Sequence, residues 1–171
     1  MANGVILDTN CFSHVFNRKD SRWDEFSDFF NWLLYRDGYL VYGGSHYLNE
    51  LKKTRYLKIF SLLKTSNKVM RIDSNSIDVE EERIKRIVPD DDFDDPHLPA
   101  IVIASNCEVI CTLDSRSFRY LKMNEIYPSR VKKPKFYTGK RCNGLLRPHI
   151  VGVGPRIKRT LVNTYLSQLD R

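Results

Sequence analysis

Nowhere in this 171-residue sequence is there a run of roughly 18 apolar residues, so a membrane-spanning helix is not expected. Nor does a charged, apolar, small-residue leader open it, and the expectation is a cytoplasmic protein with no membrane partner. Cysteine is sparse. Cys11, Cys107, Cys111 and Cys142 form no C-x-x-C pair, and no histidine spacing completes a zinc set. Cys107 and Cys111 flank an apolar run and read as small core residues, which implies a reduced protein. Internal repeats and low-complexity tracts are also absent, which leaves a globular chain long enough for one packed domain.

Acid is missing from the end of the chain. From Arg130 onward Asp170 is the sole carboxylate against eleven Lys and Arg, whereas Asp73 to Asp95 holds ten acids against three basic residues. The formal charge is +7, a mild push toward a polyanionic partner. An acidic middle beside a basic tail suits a metal site flanked by a phosphate-binding surface; the plainer reading is two solvated faces that pair with one another.

What is present is a regular alternation. Val5-Ile6-Leu7 is a short apolar run that stops on Asp8, followed by Thr9 and Asn10, and reads as a buried strand of a parallel sheet. Tyr39 to Tyr42, Val69 to Ile72 and Val109 to Asp114 read as further strands, and Lys135-Phe136-Tyr137 as an edge strand. Between them Trp23, Phe26, Phe30, Leu33 and Leu34 share one helical face, and Leu98 to Ala104 is apolar all round and should be deeply buried. Ser21, Ser45, Ser76 and Asp95 are the expected N-caps. Strands alternating with helices indicate βαβ units, an α/β fold and a mostly parallel sheet.

Ligands of open parallel sheets bind beyond the carboxyl ends of the strands. Two strands here end on carboxylates, Asp8 and Asp114; Asp95 precedes Pro96 at a helix start, and Glu50 lies within the helix after the second strand. On one edge these four acids would repel and raise one another's pKa, a conflict that a divalent cation resolves. All-oxygen donors favour Mg²⁺ or Mn²⁺ over zinc. Thr9, Asn10, His97 and Ser115 are near enough in sequence to orient a ligand, and Lys132, Lys133, Lys135, Lys140 and Arg141 are candidates for phosphate contact.

The pattern Val5-Ile6-Leu7-Asp8-Thr9-Asn10, then Glu50, then Asp95-Pro96-His97-Leu98-Pro99-Ala100, then Thr112-Leu113-Asp114 resembles the PIN-domain family of metal-dependent ribonucleases. The resemblance runs from about Val5 to Leu121. Pro99 departs from the usual proline-free first turn, and the tail after Leu121 is longer than a minimal domain needs. The resemblance implies a three-layer α/β/α sandwich with a central, mostly parallel sheet of four or five strands. Residues 1–125 would form that nuclease domain, with 126–171 a basic extension packed on or completing it. It also implies that Asp8, Glu50, Asp95 and Asp114 hold Mg²⁺ or Mn²⁺, and that a water activated there hydrolyses RNA phosphodiesters. Partners would be RNA, an antitoxin protein if the chain is the toxin of a toxin–antitoxin pair, and a second copy in a homodimer. The alternative is a non-catalytic PIN-like module that binds RNA or protein. A phosphatase with a strand-end Asp nucleophile fits less well, because Asn10 stands where such enzymes carry a second Asp.

Overall fold

The computed structural model describes residues 3–170; Arg171, counted above with the basic tail, lies outside them. Among these residues five short strands form, β1 (Ile6–Leu7), β2 (Leu40–Gly43), β3 (Val69–Ile72), β4 (Val109–Cys111) and β5 (Lys135–Tyr137). They alternate with α1 (Phe12–Phe16), α2 (Trp23–Tyr35), α3 (Ser45–Lys53), α4 (Leu57–Thr65), α5 (Ser74–Ile87), α6 (His97–Ser105) and α7 (Ser115–Leu121), followed by α8 (Pro148–Val151) and α9 (Arg159–Leu169).

Every pairing is parallel. β1 pairs with β4 in the register Ile6 to Ile110, β4 with β5 through Ile110 and Phe136, and β2 with β3 through Leu40 and Val69. A bridge between Val5 and Leu40 joins the two groups: Val5 N donates to Tyr39 O at 3.2 Å and Val41 N to Val5 O at 2.9 Å. The strand order is therefore β3-β2-β1-β4-β5. From β1 the chain winds outward to β3, returns past β1, and winds the other way to β5. With right-handed crossovers, these opposite directions deposit helices on opposite faces. α6 packs against β1, β2 and β3 and α5 packs on α6, while α9 packs on α2 and α4. The result is α/β with a parallel sheet between helical layers.

Burial follows the hydrophobic pattern. Val5, Ile6, Leu7, Val41, Val109 and Ile110 are fully buried, as parallel strands covered on both faces must be. α6 is buried from His97 to Ile103, matching its continuous apolar sequence; each such Leu or Ile contributes about 1.5–3 kcal/mol. Pro99 sits in its first turn, where the missing N–H forfeits no helical bond. Cys107 is buried, with its thiol 3.1 Å from Gly4 O. β5 extends the sheet and Tyr137 packs against Phe26 and Phe29, so this part of the basic tail belongs to the core.

The helix starts correct the expectations. α2 begins at Trp23 with Arg22 at the cap rather than Ser21, and Asp20 instead accepts from Arg22 N at 2.8 Å. Asp73, not Ser76, caps α5, accepting from Ser76 N at 2.9 Å. Gly44 precedes α3, and Ser45 donates its N–H and hydroxyl to Asp78 of α5 at 2.8 and 2.6 Å. In each case a carboxylate takes the N–H in preference to a neutral hydroxyl. Asp95 is not a cap either: Pro96 occupies that position, and the Asp95 side chain turns elsewhere. Gly43 and Gly44, at φ +153° and +86°, make the turn into α3; a Cβ at Gly43 would stand 2.6 Å from Ile72 O.

Candidate functional site

The order of strands reverses between β1 and β4, and the crevice beyond their carboxyl ends is where an open parallel sheet places a ligand. Asp8 follows β1 directly. It opens the 3₁₀ turn Thr9–Cys11, accepting from Asn10 N at 3.3 Å, and its other oxygen accepts from Thr112 Oγ1 at 2.8 Å. Buried Tyr47 donates its hydroxyl to Leu7 O at 2.7 Å, which fixes the chain one residue before the carboxylate. Asp114 lies past β4 and caps α7, accepting from Arg116 N at 3.0 Å. Ser117, one turn on, donates to Asp95 Oδ2 at 2.5 Å and approaches Asp114 Oδ2 at 3.3 Å. Glu50, on α3, accepts from Thr9 Oγ1 at 2.9 Å. A chain of hydroxyls thus ties the carboxylates to one edge.

Their electrostatics are in conflict. Burial, helped by the Asp95 charge, raises the Asp8 carboxyl to about 6 against the hydrogen bonds from Thr112 and Asn10. Burial likewise raises Asp95; Ser117 and His97 oppose this, and Asp114 and Glu50 reinforce it. Burial also disfavours the Asp114 anion, but Arg116 outweighs it and the group stays below its ordinary value. Glu50 is pulled well below the usual carboxylate range, its partial burial overcome by His46, His97 and Thr9. Two of four neighbouring carboxyls therefore pay for being charged, as expected of acids gathered without a counter-ion.

The structure brings Asp8, Glu50, Asp95 and Asp114 to one edge, though among the described residues no three of them have oxygens within 4.8 Å of one another; the trio that close is His46, Glu50 and His97. Of the expected orienting residues, Thr9 is engaged with Glu50, Asn10 and Ser115 are exposed, and His97 is fully buried and faces Glu50 instead of the surface. Lys140 and Arg141 follow β5 at the end of the sheet where Asp114 follows β4, and Lys140 Nζ lies 3.7 Å from Glu25 of α2. Lys132, Lys133 and Lys135 do not. Lys135 pairs with Val109 at the start of β4 and Lys132 binds Glu108 at 3.1 Å, at the opposite end of the strands from Asp114.

Four positions of the site were not among the expected site residues: His46, Tyr47, Ser117 and Thr112, the last quoted only as part of the motif that ends on Asp114. Two carried a local signal. His46 is four residues before Glu50 and Ser117 three after Asp114, spacings that share a helical face. Compared with protein-family models, curated proteins and solved structures, the chain finds no match.

Proposed function

We propose that this chain is a divalent-cation-dependent ribonuclease whose working groups are Asp8, Glu50, Asp95 and Asp114. The observation that carries the reading is the frustrated pair at its centre: Asp8 and Asp95 are buried beside each other with raised carboxyls, at the point where the strand order reverses. The order Asp8, Glu50, Asp95, Asp114 along the chain, like that of PIN-domain ribonucleases, supports the same conclusion.

The donor set fits a hard cation. Its atoms are carboxylate oxygens, the donors that Mg²⁺ and Mn²⁺ prefer, and such ions bind through one or two carboxylates while retaining several waters. What such a cation supplies is Lewis acidity toward a phosphodiester and a lowered pKa for water. The protein's own residues set the geometry. Thr112 holds one oxygen of Asp8 and Asn10 N–H the other, so this carboxylate has little rotational freedom. Ser117 does the same for Asp95, and the α7 cap holds Asp114 ionised. Arg116, whose guanidinium is exposed between Asp94 and Asp114, offers a phosphate contact at the mouth, with Lys140 and Arg141 farther out.

The test is cleavage of a mixed single-stranded RNA by the purified protein. Activity is expected with Mn²⁺ or Mg²⁺, is stopped by EDTA, and is reduced at least about a thousandfold by Asp8→Asn. Cleavage that persists undiminished in EDTA refutes the cation requirement. Equal activity in Asp8→Asn refutes the assignment of the site.

A further inference from the structure

Beside the aspartates, where α3, α5 and α6 meet, stand two histidines that the proposed hydrolysis does not use, together with Glu50, which it does. His46 and Glu50 occupy successive turns of α3, and His97 opens α6; one donor atom from each lies within 4.8 Å of the other two. His46 Nε2 is 3.4 Å from Glu50 Oε1, and His97 Nε2 is 3.5 Å from Glu50 Oε2. Donors around a tetrahedral cation with bonds of about 2.0–2.1 Å stand about 3.3–3.4 Å apart. Each histidine therefore already stands at about that spacing from the Glu50 carboxylate, His46 from one oxygen and His97 from the other.

Two independent observations point to a ligand. His97 is fully buried, yet among the described residues neither of its ring nitrogens has a hydrogen-bond partner, an unfavourable state for a buried polar group that a bound cation relieves at Nε2. His46 is already supported from behind. Its Nδ1 lies 2.8 Å from Glu81 Oε1, and Lys85 Nζ approaches the same carboxylate at 3.3 Å. A histidine with one nitrogen toward the ligand position and the other N–H on a carboxylate is the arrangement that orients metal-binding imidazoles. The two rings lie side by side, centroids 3.9 Å apart, and a surface pocket of about 560 Å³ opens onto His46, Glu50 and Glu81. A cation thus has an entry path and an open position.

We infer that His46, Glu50 and His97 form a binding site for a zinc-type divalent cation, separate from the oxygen donors of Asp8, Asp95 and Asp114 and adjoining them through Glu50. Imidazole nitrogens select borderline-soft ions such as Zn²⁺ and Co²⁺ over Mg²⁺. The inference adds a second ion to the proposed function's edge of the sheet, but stands without it.

The experiment is titration of the full chain with Zn²⁺ by calorimetry, with Co²⁺ by visible absorption, and with Mn²⁺ by electron paramagnetic resonance. Wild type is expected to take one Zn²⁺, and Co²⁺ is expected to show the intense d–d bands of a nitrogen-bearing, low-symmetry site. His46→Ala and His46→Gln should each weaken Zn²⁺ about tenfold or more and abolish the Co²⁺ bands. Asp8→Asn should leave both intact. Mn²⁺, bound at the carboxylates, should behave in reverse: retained in the His46 variants, which also shows them folded, and lost in Asp8→Asn. Equal Zn²⁺ affinity in wild type and both His46 variants overturns the inference. So does loss of Zn²⁺ from Asp8→Asn, which would place that ion among the aspartates. Failure of Mn²⁺ to bind any form, with Zn²⁺ bound as described, defeats the proposed function and leaves this site standing.

Discussion

Asp8→Asn separates the charge of the acidic edge from its shape. Asp8 is only 3% exposed, and its carboxyl titrates at about 6 instead of the ordinary 3.8, because burial and Asp95 disfavour the anion more than Thr112 and Asn10 favour it. At about 1.4 kcal/mol per pKa unit, ionised Asp8 costs the cation-free fold about 3 kcal/mol. The folded pKa lies above the unfolded one, so this penalty is absent below about pH 4, grows between about pH 4 and 6, and is complete at neutral pH. Asparagine keeps the planar shape and an oxygen for the Asn10 N–H. In EDTA at pH 7 the variant should therefore melt above wild type, by roughly 6–12 °C for a chain of this size. At pH 4 the two should melt together. Mn²⁺ should raise the melting temperature of wild type and leave the variant unmoved. Thermal denaturation followed by circular dichroism reads all three. A variant that melts below wild type at pH 7 in EDTA, or a difference that is the same at pH 4 and pH 7, would refute the argument from repulsion.

Ser117→Ala removes the 2.5 Å hydrogen bond to Asp95; a bond to a charged acceptor is worth about 1.5–3 kcal/mol, so Mn²⁺ affinity should fall about tenfold or more by calorimetry, and an unchanged affinity would contradict the role given to Ser117. Lys68, fully buried, donates from Nζ to Arg36 O at 2.8 Å and Pro155 O at 2.6 Å, clipping the approach to α9 onto the turn after α2. Lys68→Met leaves both carbonyls unpaired and should lower stability by about 2–4 kcal/mol in denaturant unfolding, with faster proteolysis around residues 152–158; a neutral result would deny the clip. Lys140→Ala and Arg141→Ala should each reduce the salt slope of RNA binding by about 1, measured by anisotropy in the Asp8→Asn background, whereas Lys132→Ala and Lys133→Ala should leave the slope as it is. The opposite ranking would place RNA at the other end of the sheet.

Much of the fold was legible in sequence because the signals are local. Each apolar run of three or four residues between helical stretches became a parallel strand, and the unbroken apolarity of Leu98 to Ile103 announced a helix buried on all sides. The cap positions failed for a physical reason. A serine beside a helix start competes with every carboxylate that the fold brings near, and for Ser45 the winner, Asp78, is thirty-three residues away. The basic tail failed similarly. Its composition was plain, but the pairing of β5 decided that Lys132 and Lys135 stand at the end of the sheet away from the acids while Lys140 and Arg141 stand at the near end.

By itself the sequence determined that carboxylates would close two strands and that an acidic segment would precede a buried helix, since these follow from residue types and short spacings. Only the tertiary structure decided what those acids meet. The strand order β3-β2-β1-β4-β5 sets Asp95 between Asp8 and Asp114, and the meeting of α3, α5 and α6 sets His97 against Glu50 and His46. Helical spacing connects positions 46 and 50, but nothing local connects them to 81 and 97; these converge because the parallel sheet brings α3, α5 and α6 together at one edge, and there charge and desolvation are decided by neighbours far apart in the chain.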